Sequence, residues 1–201
     1  MTMSMSSNTE SPKGSSESKH YIRSSSYGYC GTFALANALV WCDFPLNKEF
    51  LLGLVDESKC DLDGGIKHSI FDKLLRKYGK DRMLIRRSSN PNFGKMIDHL
   101  EDGGSLAISF AYIDNDGIPE AHLAFVSGLS HTKKGLKMIC HNYTKSCAKQ
   151  TIPIENLYDS LLMSVDYRED FETKSTIDNF PNVWFLTKQE NSLSRICPER
   201  H

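Results

Sequence analysis

The sequence predicts one α+β domain, with its helices early in the chain and an antiparallel sheet late. Three observations carry this. Residues 30–42 (CGTFALANALVWC) are apolar nearly all round, which marks a helix buried inside a domain. Residues 66–78 (IKHSIFDKLLRKY) place apolar side chains at 66, 70, 71, 74, 75 and 78, the spacing of an amphipathic helix. Beyond Met83 the period shortens to two: Leu106, Ile108, Phe110 and Tyr112 alternate with Ala107, Ser109 and Ala111, as side chains do on a strand.

The elements follow in order. Residues 1–20 are Ser-rich and nearly devoid of large apolar groups other than Met, so they cannot offset the entropy of ordering and read as a disordered tail. The domain itself is expected over 21–190, with 191–201 as a C-terminal tail. The buried helix starts at Cys30 and is ended by Asp43-Phe44-Pro45. A short helix over 46–55 has Asn47 as its cap, and Asp61-Leu62-Asp63-Gly64-Gly65 forms a turn. The amphipathic helix from Ile66 is closed by Gly79 as a glycine beyond its end. A short strand at 83–85, a helix over 92–100 stopped by Gly103-Gly104, and a strand over 105–112 come next. Residues 121–130 and 136–142 then form an antiparallel hairpin around Lys133-Lys134-Gly135. A helix near 154–162 and a strand at 183–186 finish the domain.

Composition excludes several classes of function. With 201 residues, 39% of them hydrophobic, the chain can bury one core without metal or disulfide staples. Lys plus Arg is 24 against 25 Asp plus Glu, so no global excess of charge points to nucleic acid. No apolar run nears the length of a membrane span, and the N-terminus lacks the apolar stretch of a secretory signal. The expectation is a protein without membrane partner, cytoplasmic or exported without a signal peptide. The six cysteines include no C-x-x-C pair, and the histidines form no metal-ligand spacing. Reduced thiols, no metal and no cofactor are therefore expected.

The chemistry centres on Cys30. A polar loop, Ser24-Ser25-Ser26-Tyr27-Gly28-Tyr29, feeds it into a helix N-terminus, where unpaired N–H groups and the helix dipole favour a thiolate. Gly31, lacking a side chain, is expected to leave room for a substrate carbonyl. A nucleophilic cysteine needs a base and a group to orient it, and both can lie far off in sequence. His122 opens an apolar strand beside a polar loop. Asn142 closes the next strand, so hairpin pairing makes the two neighbours and lets the amide hold the imidazole toward the sulfur. His141 points to the opposite face from Asn142, and His131 lies at the far end of the hairpin.

The order Cys30-Gly31 with a buried helix, Asp63-Gly64-Gly65-Ile66 opening a second, His122 opening an apolar strand and Asn142 ending the next resembles the papain-like cysteine peptidases. It is most similar to their compact bacterial branch, the leader-peptidase domains of bacteriocin exporters, which cut after a Gly-Gly leader. The layout also resembles the transpeptidase phytochelatin synthase. The resemblance spans about residues 22–187. It implies a papain-like α+β fold, a protein or peptide substrate, and Cys30, His122 and Asn142 as nucleophile, base and orienting residue. It also implies an oxyanion donor six residues before the cysteine, where the family's Gln is Ser24 here. Ser24, Ser25 or Ser26 takes that role, or the Cys30 N–H acts alone. The exporters' Asp-Pro is Asn142-Tyr143 in this chain. Hydrolysis by such a site makes a peptidase; the alternatives are a deamidase, an acyl or peptide transferase, or an inactive binding module of the same fold.

Overall fold

The computed structural model describes residues 29–60, 65–90, 92–113, 119–141, 149–166 and 181–189. The two tails expected at 1–20 and 191–201 lie outside these residues, as does the turn at 61–64 apart from Gly65. Three helices come first: α1 (Cys30–Trp41), α2 (Lys48–Ser58) and α3 (His68–Gly79). Then follow β1 (Met83–Ser88), α4 (Phe93–Glu101), β2 (Ser105–Ile113), β3 (Pro119–Thr132), β4 (Gly135–His141), β5 (Gln150–Pro153), α5 (Ile154–Asp166) and β6 (Asn182–Lys188). The strands make one antiparallel six-stranded sheet in the order β1-β6-β2-β3-β4-β5. The expected α+β architecture is the one observed. Among the described residues, no helix is long and apolar enough to cross a membrane.

The sheet separates two apolar clusters, and the period of two decides which residue enters which. Leu123 and Phe125 of β3 face α1, α2 and α3, packing with Leu35, Leu39, Phe71, Leu75, Trp184 and Leu186. Ala124 and Val126 face the other way, toward α4 and α5, with Met96, Leu100, Ile108, Phe110 and Leu157. Trp184 is wholly buried, its ring tilted at 60° against Phe71 with centroids 4.6 Å apart. Burying a side chain of this kind stabilises the fold by roughly 1.5–3 kcal/mol. Helix α1 is buried on almost all sides, as its composition requires, and the left-handed Asp43 (φ 62°) turns the chain out of it. Asn47 caps α2 by accepting from the Phe50 N–H at 2.7 Å, and Asn92 caps α4 by accepting from Lys95 at 3.0 Å.

A buried polar network ties the sheet to α3. Arg87 Nε donates to Asn182 Oδ1 at 2.8 Å, which turns the amide so that its Nδ2 donates to His68 Nδ1 at 3.1 Å. The Asn182 N–H donates to Ser109 Oγ at 3.2 Å. Three strands and the first turn of α3 are thereby held in one register.

Four elements or roles differ from the sequence reading. Gly79 is the last residue of α3 and does not take a left-handed conformation; its missing Cβ admits Met83, whose side chain would lie 2.9 Å away. Helix α3 starts at His68, because Ile66 and Lys67 run into it extended. The four-residue β5 carries no alternation to announce it. Gly31 does not open space for a substrate: Ile66 Cγ2 occupies the place its Cβ would take, with Leu123 Cδ1 3.9 Å away. Glycine is needed there because α1, the Ile66 segment and β3 meet at that point.

Gly31→Ala should therefore cost about 1–3 kcal/mol of stability from overpacking. In an Ile66→Ala background the same substitution should cost clearly less. Urea unfolding of the four proteins of this cycle checks both expectations.

Candidate active site

Cys30 is the first residue of α1, preceded by Tyr29, which offers no side-chain cap. As a residue Cys30 is half-buried. Helix α1 lies against β3 and brings the sulfur to His122, with which it makes a side-chain hydrogen bond. His122 is also half-buried. The backbone N–H groups of Leu123 and Gly31 point at the same sulfur. Two residues 92 positions apart in sequence are thus in contact because a buried helix crosses the strand that carries the second.

The electrostatics follow from these neighbours. Burial acts most strongly on the Cys30 thiol and opposes its ionisation. The positive charge of His122, the hydrogen bond from its ring, and the two backbone N–H groups outweigh burial, and the thiol falls below its ordinary value. The other apolar-set thiols show what burial does without such partners. Cys140 is pushed up to about 12 and Cys42 is raised, in both cases first by desolvation. All four described cysteines are free thiols.

The His122 ring is held from its far side by Phe110. The two residues are directly opposed in the β2–β3 ladder, and their rings meet edge to face at 5.5 Å and 68°. Sequence reasoning missed Phe110: its alternation shows which face it is on, but not which residue of β3 stands across from it. The first turn of α1 is anchored as well. Thr32 Oγ1 donates to Ser58 Oγ at 2.8 Å, and Ser58 Oγ donates to the Val55 carbonyl at 2.7 Å. The Thr32 proton being used, the Cys60 thiol 3.0 Å away is the donor in its contact with Thr32 Oγ1. This chain of donors ties the end of α2 to the turn that presents Cys30.

Of the sequence-predicted site residues, Cys30 and His122 are brought together. Asn142, Ser24, Ser25 and Ser26 lie outside the described residues. Strand β4 ends its described course at His141, opposite Phe125 and so three residues along β3 from His122. His141 is fully buried, its Nε2 2.8 Å from Ser127 Oγ, and its cross-strand partner places it on the α1 face of the sheet. His131 is exposed at the far end of the hairpin. Among the described residues, no group of three or more His, Cys, Asp or Glu side chains is arranged to hold a metal ion.

No protein-family model matches the sequence, and no curated protein matches it. The fold does match solved structures. One is described as a "putative C39-like peptidase" from Bacillus anthracis; it aligns with a TM-score of 0.55 at 10% sequence identity, covering 86% of this chain and 96% of that one. The chain therefore has the papain-like α+β fold of C39-like peptidases, nearly from end to end of that structure.

Because the thiol is held low by His122, alkylation of Cys30 by iodoacetamide should reach half its maximal rate at a pH below that of an unfolded thiol. Removing the imidazole in His122→Ala leaves burial in place, so the midpoint should move upward. Cys42 and Cys140 should stay unmodified in native protein near pH 7. Mass-spectrometric mapping of each cysteine against pH reads all three expectations.

Proposed function

We propose that the chain is a cysteine peptidase in which Cys30 is the nucleophile, His122 the base and acid, and Asn142 the residue that orients His122. The observation that carries this reading is the Cys30–His122 contact, made by a thiol of lowered pKa at the start of a buried helix. The fold shared with a C39-like peptidase supports it.

The chemistry runs in two halves. The Cys30 thiolate attacks the carbonyl carbon of an amide, and a carbon–sulfur bond forms as the carbonyl electrons move onto oxygen. The oxyanion is met by the Cys30 N–H and by a hydroxyl of Ser24, Ser25 or Ser26. Collapse breaks the carbon–nitrogen bond, and protonated His122 gives its proton to the departing amine. In the second half neutral His122 takes a proton from water, whose oxygen attacks the thioester. The carboxylic acid leaves, and the Cys30–His122 pair is restored. Phe110 limits the tilt of the imidazole through both halves, and Asn142 fixes its rotation.

The substrate is a protein or peptide. Within the fold, the order Cys30-Gly31, His122 and Asn142 supports the branch that cuts after a Gly-Gly leader. An amine in place of water in the second half would make a transferase, and a glutamine side chain as substrate a deamidase. Ser24 in the place of the family's glutamine favours a slower enzyme, since one lost oxyanion donor costs about 10²–10³ in kcat.

A set of peptides containing a Gly-Gly site, followed by mass spectrometry, tests the proposal. Cys30→Ala and His122→Ala should each lower cleavage by about 10³-fold or more. Asn142→Ala should lower it by less, and hydroxylamine should trap the acyl group carried by Cys30. Cleavage that persists undiminished in Cys30→Ala would falsify the assignment; a product bearing an added amine identifies transfer instead of hydrolysis.

A further inference from the structure

We propose that the outer edge of β1 is a docking site for an extended, acid-rich peptide segment, separate from the Cys30 region. Strand β1 closes one side of the sheet, and among the described strands it pairs only with β6. A strand with backbone groups unpaired along one side is a template for another extended chain. Chemistry on both faces of this edge selects what chain that can be.

On the α4 face, Leu84 stands opposite Thr187 and Arg86 opposite Phe185. Beside His99 of α4 lies a depression of about 260 Å³ lined by Leu84, Ile85, Arg86, His99, Phe185 and Thr187. Its polar groups are held in place. The Arg86 guanidinium lies 4.8 Å over the Phe185 ring, and His99 packs edge to face on that ring at 5.3 Å. His99 Nε2 is 3.0 Å from the Leu186 carbonyl oxygen, which can only accept. Nε2 therefore carries the ring proton, and the bond fixes how the ring lies in the depression. Gly104 is required for this seat, because a Cβ there would run into the His99 ring. Leu84, 59% exposed, forms the apolar rim.

On the α3 face the edge carries Arg87, and Arg76 of α3 reaches the Ile85 carbonyl oxygen at 3.4 Å, a long contact that an arriving N–H can replace. Residues 67–88 hold eight basic side chains against two acidic ones, in a chain whose formal charge is −1. A second copy of β1 brings two further arginines to this edge and no acidic side chain, so it is the poorer partner by charge. An incoming strand with acidic side chains meets Arg86 on one face and Arg87 on the other, and opposite charges paired across strands are favourable. A Glu or Asp side chain fits the depression between Arg86 and His99, with an apolar neighbour two residues on against Leu84. For a peptidase this is a second point of hold on a long substrate; for an inactive module it is the binding surface itself.

The test uses the full chain and a fluorescein-labelled peptide repeating Glu-Glu-Val-Val, which sets acidic and apolar side chains two residues apart on each face, with its Lys-Lys-Val-Val counterpart, read by fluorescence anisotropy. Only the Glu peptide should bind, and more weakly as salt rises. Arg86→Glu should weaken it at least tenfold while the pH profile of Cys30 alkylation stays unchanged, which also reports that the variant is folded. If Arg86→Glu does not fold, Thr187→Glu on the same rim carries the test with the same expected loss. N-methylation at alternate peptide nitrogens should abolish binding in one phase of the alternation and spare it in the other. Equal binding of the Lys peptide, indifference to both substitutions, or indifference to N-methylation overturns the proposal. So does a single-stranded DNA 20-mer that binds through Arg86 when the Glu peptide does not. Failure of the Cys30 assignment leaves these readings untouched, since none of them uses the thiol as nucleophile.

Discussion

How close α1 can come to β3 decides what this molecule can do. The sulfur reaches the imidazole only because the helix start is bare of side-chain volume at Gly31, where Ile66 fills the space, and because Leu123 and Phe125 present a flat apolar face beneath. The hydrogen-bonded chain Cys60, Thr32, Ser58 and Val55 then fixes the rotation of that first turn. Both restraints are at least part-buried, so the Cys30–His122 pair inherits its geometry from the core. A site on a flexible loop would have to order itself each time it worked.

The same burial that organises the pair works against the charge it needs. Apolar surroundings raise the thiols of Cys42 and Cys140, and they act on Cys30 in the same direction. What differs at Cys30 is the supply of positive charge and of N–H donors from three directions: the imidazole, the strand and the helix start. In a poorly screened place these interactions are stronger than in water, so the environment that penalises the thiolate also amplifies what rescues it.

Much of this was legible in the sequence, for identifiable reasons. Helix α1 was readable because a thirteen-residue apolar run without charge has no other soluble use, and α3 because its apolar positions repeat at helical spacing. The faces of β3 followed from alternation alone: Ala124 and Val126 on one side, Leu123 and Phe125 on the other. Strand β5 was not readable, since four residues are too few to show a period. The role of Gly31 was misread because a glycine is silent about what fills the space beside it; only the path of Ile66 reveals that. Phe110 and the Arg87–Asn182–His68 network were hidden for a related reason. Each depends on register between strands distant in the chain, which no local pattern encodes.

The position of β6 has a consequence for how the molecule comes into being. It is the last described strand to be synthesised, yet it lies between β1 and β2, and its Trp184 and Leu186 belong to the cluster on which α1 rests. A nascent chain that has produced Cys30 and His122 still lacks the plank that joins the sheet's two parts. The bed of α1 is completed only when translation has passed Lys188. The Cys30–His122 contact thus gains its full support only after β6 has been made, by topology alone.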